Sequence, residues 1–348
     1  MQQLMNTLYL TTPGTYVKRE GESIEVHIDG EKQMEIPFIH LNGIVCFGNI
    51  LISPGIINKF AGDNRPIVWH DGIGRFKGRL VGPTNGNVLL RKAQFEAMID
   101  STIKFKIARD IIIGKIRNSR EVVQRAVRNE TDVNDKEKLT VVSKKLAHAI
   151  NRLDPDRTQP VTDIEILRGI EGNAAREYFS AFDHLIKQEK DFFKFEKRTR
   201  RPPRDPVNAM LSFFYTILLN DCVSALEGIG MDPQFGYLHE IRPGKPALGL
   251  DLMEELRPIF VDRLVFTLIN RKQISSKDFD IRPGGAVQIK DKPRKKVIIA
   301  YQERKSVKRK HPVLDQQVSL GLIPHIQARI LARYLRGDIK HYIPFYFN

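Results

Sequence analysis

The chain has 348 residues, with 56 Lys and Arg against 41 Asp and Glu and a net charge of +15. Hydrophobic residues make up 41% and charged residues 28%, a globular composition that excludes wholesale disorder. At ~150 residues per domain, this length favours two domains. The two cysteines exclude a disulfide framework and a cysteine zinc site, and their apolar neighbours predict that Cys46 and Cys222 are small buried side chains.

The N-terminal residues lack a cationic stretch followed by an apolar one, so no secretory signal is predicted. No uninterrupted apolar run approaches ~18 residues, so no membrane-spanning helix is predicted. These features predict a soluble cytoplasmic protein without a membrane partner.

Up to about residue 90 the sequence shows the period-2 alternation of half-buried strands. The dipeptide Asp29-Gly30 predicts a tight turn between two of them, and residues 53–60 are predicted as a short helix. The pattern predicts a small, sandwich-like antiparallel β domain over residues 1–85. Its predicted strands include residues 8–10, 24–28, 34–38, 44–47 and 67–69.

From Arg91 onwards helical periodicity dominates, which predicts an all-helical C-terminal domain over residues 86–348, after a linker at 81–90. The fold class is therefore α+β with two domains. The polar stretch 129–135 predicts a break between helices.

Three local signals define the later helices. Thr162 and Glu165 form a T-x-x-E capping box, and Asp205-Pro206 is an N-cap followed by proline at the first helical position. The helix after Asp205 is apolar on most faces, which predicts a central core helix ending at Gly228. Residues 248–270 are predicted as one long helix with a kink at Pro258.

The positive charge is concentrated in two segments. Between Lys290 and Lys310, ten cationic residues stand against Asp291 and Glu303, so this stretch carries +8. The second cluster covers residues 197–204. A solvated face or a mobile loop has the same composition, but two such runs favour binding to a phosphate backbone. The runs alone do not separate DNA from RNA or a membrane surface.

Three segments of the helical region carry the candidate chemistry. Glu171 is flanked by glycines and alanines, and such small residues let other backbones approach, which predicts a closely packed carboxylate; an exposed helical glutamate is the alternative. His239 lies in a Gly- and Pro-rich loop after the core helix, where functional side chains are common. A hydrogen-bonded structural histidine is the alternative reading of that position.

In the third segment, Asp251 and Glu254 are spaced i and i+3, which places both carboxylates on one helix face, with Glu255 nearby. An acidic first turn that complements the helix dipole has the same pattern. Together with Glu171 and His239 these residues offer carboxylate and imidazole donors, which suit Mg²⁺ or Mn²⁺. Such acids at the centre of a basic protein fit a metal-dependent phosphoryl-transfer enzyme.

At these residues the chain resembles the CRISPR-associated integrase-endonuclease, the larger of the two core proteins of the spacer-acquisition module. The length and the Arg-Pro-Gly-Lys-Pro form of the His239 loop resemble type I systems, subtype I-C. The matching stretches are LYLTTPGTYVKREGESI (8–24), ARDIIIGKIRNSR (108–120), RGIEGNAAREYFSAF (168–182), GYLHEIRPGKPALGLDLMEELRP (236–258) and DQQVSLGLIPHIQARILARYL (315–335).

The resemblance implies a β domain followed by a helical domain, and it implies that Glu171, His239 and Glu254 are catalytic ligands of Mg²⁺ or Mn²⁺. Some members of the family have Asp where Glu254 stands, so either Asp251 or Glu254 is the direct ligand. We predict Glu254, with Asp251 orienting a metal-bound water or His239. His239 is also a candidate proton carrier.

The resemblance further implies a homodimer, two of which clamp a small dimeric second core adaptation protein to form a heterohexamer on double-stranded DNA. The implied reaction joins the 3′ ends of a short duplex into the repeat array by transesterification, and the same residues would hydrolyse DNA when water replaces the hydroxyl. The predicted phosphate contacts are Arg176, Arg242, Lys245, Lys295, Lys296, Arg304 and Lys305.

Two other functions stay open at the level of sequence. One is a non-catalytic basic DNA-binding subunit whose acidic residues are structural, which dependence on a divalent metal would exclude. The other is a hydrolase of RNA or branched junctions, which a comparison of substrates would identify.

Overall fold

The computed structural model describes residues 7–72, 74–80, 82–83, 88–154, 156 and 161–347. The α-helices are α1 Pro54–Gly62, α2 Val88–Ile99, α3 Ser101–Asn129, α4 Val133–Arg152, α5 Ile164–Ser180, α6 Phe182–Leu185, α7 Pro206–Glu227, α8 Ala247–Glu254, α9 Arg263–Asn270, α10 Asp291–Ser306 and α11 Ile323–Leu335. The strands are β1 Thr7–Leu10, β2 Tyr16–Glu20, β3 Ser23–Ile28, β4 Glu31–Pro37, β5 Gly43–Phe47, β6 Leu51–Ile52, β7 Ile67–His70, β8 Phe76–Leu80, β9 Phe279–Ile281, β10 Val287–Ile289, β11 Lys308–Lys310 and β12 Gln317–Ser319.

The chain divides into two compact units. The first comprises Met1–Gly86 and Asp291–Val307, and the second comprises Asn87–Lys290 and Lys308–Asn348. The predicted boundary between residues 85 and 86, and much of the predicted linker, lie outside the described residues. The structure assigns α10 to the first unit, not to the helical region in which the sequence placed it. A helix that joins a domain from a distant part of the chain leaves no local sequence signal.

The first unit contains two four-stranded sheets, in the orders β1-β5-β7-β8 and β4-β3-β2-β6. Apolar side chains from both sheets and from α1 form one core, which includes Val17, Ile44 and Phe60. Asp29 and Gly30 both have positive φ, 52° and 82°, and connect β3 to β4. Two consecutive residues with positive φ define the type I′ hairpin turn that the dipeptide predicted.

The sheets are mixed, so the prediction of a purely antiparallel domain is wrong. The pairs β1-β5, β5-β7 and β2-β6 are parallel, whereas β2-β3, β3-β4 and β7-β8 are antiparallel. Parallel neighbours need a crossover connection, and α1 lies in the one between β5 and β7. Alternation along a strand reports which face is buried, but it carries no information about the direction of the neighbouring strand.

The second unit is built around α7, which is buried on most of its faces as predicted. The Asp205 carboxylate accepts a hydrogen bond from the Asn208 backbone N–H at 2.8 Å, Pro206 occupies the first turn, and Gly228 is the C-cap. By length and composition α7 is the one helix among the described residues that would suit a membrane, but 61% of its most apolar window is buried inside the protein. That burial is typical of a core helix.

Three predictions about the helical region need correction. The N-cap of α5 is Asp163, which accepts a hydrogen bond from the Glu165 N–H, and not Thr162. Residues 248–270 form α8, a π-helical segment at Arg257–Asp262 and α9, because Pro258 has no N–H to continue regular α-helical hydrogen bonding. The region is also not all-helical, since the pairs β9-β10 and β11-β12 form two short antiparallel ladders.

Both cysteines are free and buried, as their apolar neighbours predicted.

Candidate active site

A lysine that the sequence analysis did not select lies at the centre of the candidate site. The Lys115 ammonium on α3 forms an ion pair with the Glu171 carboxylate on α5 and a second one, at 2.8 Å, with Glu254 Oε2 at the end of α8. Lys115 and Glu254 are largely buried, with side chains 15% and 4% exposed. Three elements distant in sequence therefore bring two of the predicted acids together around one positive charge.

Glu254 is held ionised by its cationic neighbours. Arg257 Nη1 donates to Glu254 Oε1 at 2.5 Å, and His239 Nε2 lies 3.6 Å from the same oxygen. Burial by itself would raise the pKa of Glu254, but Arg257, Lys115 and His239 outweigh it and hold the pKa at about 2. The other oxygen, Oε2, is buried and accepts no well-directed hydrogen bond despite its ion pair with Lys115.

Asp251 is fully buried and organises the loop that carries His239. Its Oδ2 accepts hydrogen bonds from the backbone N–H groups of Tyr237 and Leu238 at 2.6 and 3.0 Å. Its Oδ1 accepts from the backbone N–H of His239 at 3.0 Å and pairs with the His239 Nδ1 at 2.6 Å. A carboxylate can only accept, so Nδ1 carries a proton, and the Nε2 edge of the ring faces Glu254.

Glu255, the neighbouring acid, belongs to a different environment. It is fully buried, and it accepts hydrogen bonds from the Tyr342 hydroxyl at 2.6 Å and from the Phe345 N–H at 2.7 Å. Burial raises its pKa to about 7. Glu255 therefore fastens the C-terminal segment to the helical unit, and the i, i+3 pair of Asp251 and Glu254 remains on the His239 side.

The prediction of close packing around Glu171 is wrong for its two flanking glycines, although Ala174 is buried. A Cβ placed on Gly169 or Gly172 would meet nothing within 4 Å, so no other backbone packs against them. The Glu171 side chain is 25% exposed, and its contact with Lys115 brings it into the site.

Among the described residues, no three His, Cys, Asp or Glu side chains are arranged as a ready metal-binding group. The Lys115 ammonium occupies the space between the two glutamates and separates their oxygens. The donor set nevertheless suits a hard divalent cation, since two carboxylates flank a bound positive charge and the His239 imidazole nitrogen lies beside one of them. Glu254 Oε2 faces the ammonium position, at 2.8 Å from Lys115 Nζ.

Arg257 connects Glu254 to a further buried acid, Asp262, which was not among the predicted site residues. Arg257 packs over the Tyr215 ring at 5.2 Å from its centroid, and the Tyr215 and Tyr178 hydroxyls donate to Asp262 at 2.6 and 3.0 Å. Burial raises the pKa of Asp262 to about 6. The same kind of sequence signal existed for both residues: Lys115 interrupts the apolar run 111–116, and Asp262 with Arg263 interrupts the apolar run 259–266.

The predicted phosphate contacts have unequal exposure. Lys295 and Lys296 are exposed on α10, whereas Lys305 is 5% exposed and its ammonium lies 5.9 Å from the Tyr301 ring centroid. Lys305 is therefore buried with its ammonium over an aromatic ring, and its prediction as a surface contact is wrong. Arg304, on the same helix, is partly buried.

The three predicted phosphate contacts of the helical unit lie near the surface. Arg176 is exposed and donates to Asn173 at 2.6 Å, Arg242 is exposed and paired with Glu240 at 2.5 Å, and Lys245 is partly buried. All three therefore stay candidate contacts for a DNA phosphate.

Gly236 supports the Asp251 carboxylate by having no side chain. A Cβ at this position would lie 2.7 Å from Asp251 Oδ2 and 2.7 Å from the Ala247 carbonyl carbon. We expect Gly236→Ala to lower the free energy of unfolding by about 1–3 kcal/mol, because the loop must move away from α8. Gly169→Ala, in open space on α5, is the matched control and should stabilise by a few tenths to about 1 kcal/mol. Equal melting temperatures for the two variants would contradict this account.

Comparison with known proteins identifies the class to which this protein belongs. The chain is 51% identical over 348 residues to the CRISPR-associated endonuclease Cas1 1 of Moorella thermoacetica, with 100% of both chains covered. It is 46% identical over 345 residues to the Cas1 1 endonuclease of Chlorobaculum tepidum, with 99% of each covered. These relatives define a class of CRISPR-associated endonucleases. The family profile described as CRISPR associated protein Cas1 matches residues 8–303, and the chain belongs to the Cas1 family.

Solved structures agree with this assignment. A Cas1 protein from Thermotoga maritima has 26% identity and a TM-score of 0.77, covering 96% of this chain and 97% of that one. A casposase bound to integration product, at 22% identity and TM-score 0.80, covers 97% of this chain and 93% of its own. A chain of a Cas6-RT-Cas1–Cas2 complex, at 21% identity and TM-score 0.81, covers 99% of this chain and 36% of its own. The last two similarities show the fold alone.

Proposed function

We propose that this protein is a divalent-metal-dependent DNA endonuclease and integrase that joins the 3′ ends of short duplexes into a CRISPR repeat array. The observation that carries the proposal is that the Lys115 ammonium contacts the carboxylates of Glu171 and Glu254, while His239 Nε2 lies 3.6 Å from the other oxygen of Glu254. Such a set of oxygen and nitrogen donors is suited to a hard cation beside a phosphate. The Cas1 relatives named as endonucleases support the same class of reaction.

Glu171 and Glu254 would hold Mg²⁺ or Mn²⁺ in place of the Lys115 ammonium, with His239 Nε2, beside Glu254, as the third donor. When bound, such a cation polarises a phosphoryl oxygen and stabilises the charge that develops on the attacking or leaving oxygen. Arg257 would keep Glu254 oriented and ionised in either case, since it contacts the other carboxylate oxygen.

Asp251 would act as a positioning residue, because its carboxylate accepts from three backbone N–H groups and pairs with the His239 Nδ1. A hydrogen bond of this kind fixes the ring orientation and tautomer of a coordinating histidine. His239 then offers only Nε2 to the site. That nitrogen can hold a cation or carry a proton, but not both at once, so we assign His239 to coordination.

The proposed transesterification exchanges one phosphodiester for another. The 3′-oxygen of the incoming strand forms a bond to phosphorus, and the bond from that phosphorus to the leaving 3′-oxygen of the repeat breaks. The proton lost by the attacking hydroxyl is returned to the leaving oxygen through solvent. Water in place of the hydroxyl gives hydrolysis by the same residues.

Partners are proposed from the complexes formed by proteins with the same fold. One is a complex that contains Cas1 and Cas2, and another is a casposase bound to integration product. We propose that this chain binds double-stranded DNA as a homodimer, and that two such dimers assemble with the small second adaptation protein into a heterohexamer. A cytoplasmic location and subtype I-C stay predictions.

Strand joining in vitro tests the proposed function. The purified protein and its small partner are incubated with a labelled duplex bearing 3′-hydroxyl ends and a plasmid that carries a repeat array. We expect covalent joining with Mg²⁺ or Mn²⁺, none with EDTA, and none from a 3′-deoxy duplex. DNA binding without joining or cleavage under any metal would favour the non-catalytic subunit, and cleavage confined to RNA or branched junctions would favour the hydrolase.

The exposed lysines of α10 provide a separate prediction about DNA binding. Neutralising Lys295 and Lys296 to Gln should reduce the slope of log affinity against log salt by about 2, because each phosphate contact contributes ~0.9 for duplex DNA. The control is Lys136→Gln with Lys144→Gln, which removes two exposed charges from α4. Fluorescence anisotropy at several salt concentrations measures both slopes. An unchanged slope in the α10 variant would assign those lysines to solubility.

A further inference from the structure

The helical unit contains a cavity outside the candidate active site. It has a volume of about 530 Å³ and is lined by the C-terminal half of α3, by residues around α6 and by α9. Val122 and Leu185 are buried apolar residues of the lining, and Phe266 adds an aromatic ring. The cavity thus has an apolar inner surface on which a sugar or a nucleobase can pack.

Its remaining lining is strongly cationic. Among the described residues it includes Arg125, Lys187, Arg263 and Arg271 but only one carboxylate, that of Glu130, which leaves a net charge of +3. The Glu130 carboxylate is already used, because it pairs with Lys187 and accepts hydrogen bonds from the backbone N–H groups of Thr131 and Asp132. Lys187 also pairs with Asp135, outside the cavity lining, at 3.2 Å. Since Lys187 and Glu130 are paired, the three arginines carry the positive charge that is available to a ligand.

Arg125, Arg263 and Arg271 make no ion pair and no side-chain hydrogen bond within the described part of the chain. The Arg263 guanidinium packs over the Phe347 ring, 4.6 Å from its centroid, and the Arg309 guanidinium lies over the same ring at 5.3 Å. Burial and the charges of Arg125 and Arg309 lower the pKa of Arg263 to about 10, so it stays protonated at neutral pH. Arg263 is partly buried and Arg125 and Arg271 are exposed, and mutually repelling guanidinium groups of this kind are stabilised when an anion binds between them.

The cavity continues the helix face that carries Lys115. Val122, Ala126 and Asn129 line the cavity and follow Lys115 by 7, 11 and 14 residues, which at ~100° per residue places all four on one side of α3. Arg125 is ten residues from Lys115, or about 15 Å along the helix axis at ~1.5 Å per residue. That distance is spanned by about four nucleotides of B-form DNA.

We propose that this cavity binds a backbone phosphate of the DNA strand that occupies the active site, about four nucleotides or fewer from the reacting phosphate. Arg125, Arg263 and Arg271 would contact the phosphate, and the apolar inner surface would pack against the adjoining sugar or nucleobase. The inference rests on the proposed function for the identity of the strand. It adds a subsite of defined position and chemistry, separate from the metal ligands and from the lysines of α10.

Binding of a fluorescein-labelled duplex with 3′-hydroxyl overhangs, in EDTA, tests the subsite without requiring catalysis. Arg125→Gln with Arg271→Gln removes two exposed charges, so the protein should fold, and we expect the affinity to fall about tenfold and the salt slope to decrease by 1 to 2. Arg263→Gln should give a similar loss. The α4 variant, Lys136→Gln with Lys144→Gln, is matched in charge and should change the affinity less than twofold.

A methylphosphonate scan locates the contact along the strand. Each phosphate of the overhang is replaced in turn by a neutral methylphosphonate, and one position within about four nucleotides of the 3′ end should weaken binding to the parent protein but not to the arginine variant. The absence of any such position, or parent affinity in the double variant, would overturn the proposal. Catalytic joining by the parent would then still support the proposed function, so the two failures are distinguishable.

A free nucleotide offers the same phosphate chemistry, so a second arm uses dAMP as the probe. If the strand is the ligand, millimolar dAMP should leave the melting temperature within error of its starting value. Stabilisation by dAMP that is lost in Arg263→Gln, together with unchanged DNA affinity, would assign the cavity to a free nucleotide and overturn the strand assignment.

Discussion

Replacing Glu171 with Gln is expected to reduce strand joining and DNA cleavage by about 10²- to 10⁴-fold, since metal stabilisation of a phosphoryl transition state contributes several kcal/mol. The substitution keeps the size of the side chain, and Glu171 is partly exposed at 25%, so the melting temperature should change little. His239→Ala should cause a loss of the same order. Joining assays at saturating Mn²⁺, with thermal melting in parallel, measure both effects.

The matched control for Glu171 is Glu177→Gln on the same helix. Glu177 forms an ion pair with Lys145 at 2.9 Å and makes no contact with Lys115 in the described structure. Its loss should leave the joining rate within about twofold of the parent, as for other surface ion pairs. Parent-like activity in a folded Glu171→Gln protein would remove the central residue of the proposed site.

A Mn²⁺ titration of Glu254→Gln and Asp251→Asn distinguishes the two acids of α8. Glu254→Gln should stay inactive at every Mn²⁺ concentration, because it removes a proposed direct ligand. Asp251→Asn should lose activity by ~10–100-fold, since it disturbs the orientation of His239. The structure favours this order, because all four contacts of Asp251 are to the His239 loop. The reverse order would make Asp251 the ligand.

Replacing Lys115 with Met is expected to lower the free energy of unfolding in EDTA by about 3 kcal/mol. The Glu254 carboxylate is buried and ionised, and removing one partner of a buried ion pair typically costs about 3–5 kcal/mol. Arg257 remains in contact with Glu254 and keeps the loss near the lower limit. Thermal or urea unfolding measures it.

The same variant reports on the metal without any assay of activity. If Lys115 occupies the cation position, Mn²⁺ should restore much of the lost stability of Lys115→Met, by about 2.7 kcal/mol at 100 times its dissociation constant. The parent should gain less, because the ammonium must first leave the carboxylates. Lys106→Met, an exposed substitution on the same helix, should stay within about 0.5 kcal/mol of the parent with or without Mn²⁺. Destabilisation that Mn²⁺ does not reverse would make Lys115 a structural residue only.

The sequence predicted the elements whose signals are local. Alternating apolar residues located β3 and β4, two adjacent turn residues placed the hairpin between them, and Asp205-Pro206 marked the start of α7. Each of these features depends on a few neighbouring residues, so the local sequence is sufficient to predict it. The spacing of Asp251 and Glu254 also follows from one helical repeat.

Predictions of features that depend on contacts between distant segments were wrong, or were not made. The direction of β5 against β1 and the grouping of α10 with the β unit are examples, since neither changes the local pattern of a strand or helix. The small residues around Glu171 suggested close packing, but open space surrounds Gly169 and Gly172. Lys305 was predicted on a charged surface, whereas it is buried with its ammonium over the Tyr301 ring.

Motifs and periodicity are local, so the amino-acid sequence was sufficient to predict the Cas1 resemblance, the candidate ligands and the two types of domain. The contacts between those ligands depend on how distant helices pack together. Lys115 lies 56 residues from Glu171 in the chain, and its ammonium reaches both Glu171 and Glu254 only after α3, α5 and α8 pack together. The same packing keeps the buried Glu254 ionised, because the fold brings the Arg257 and Lys115 cations to it.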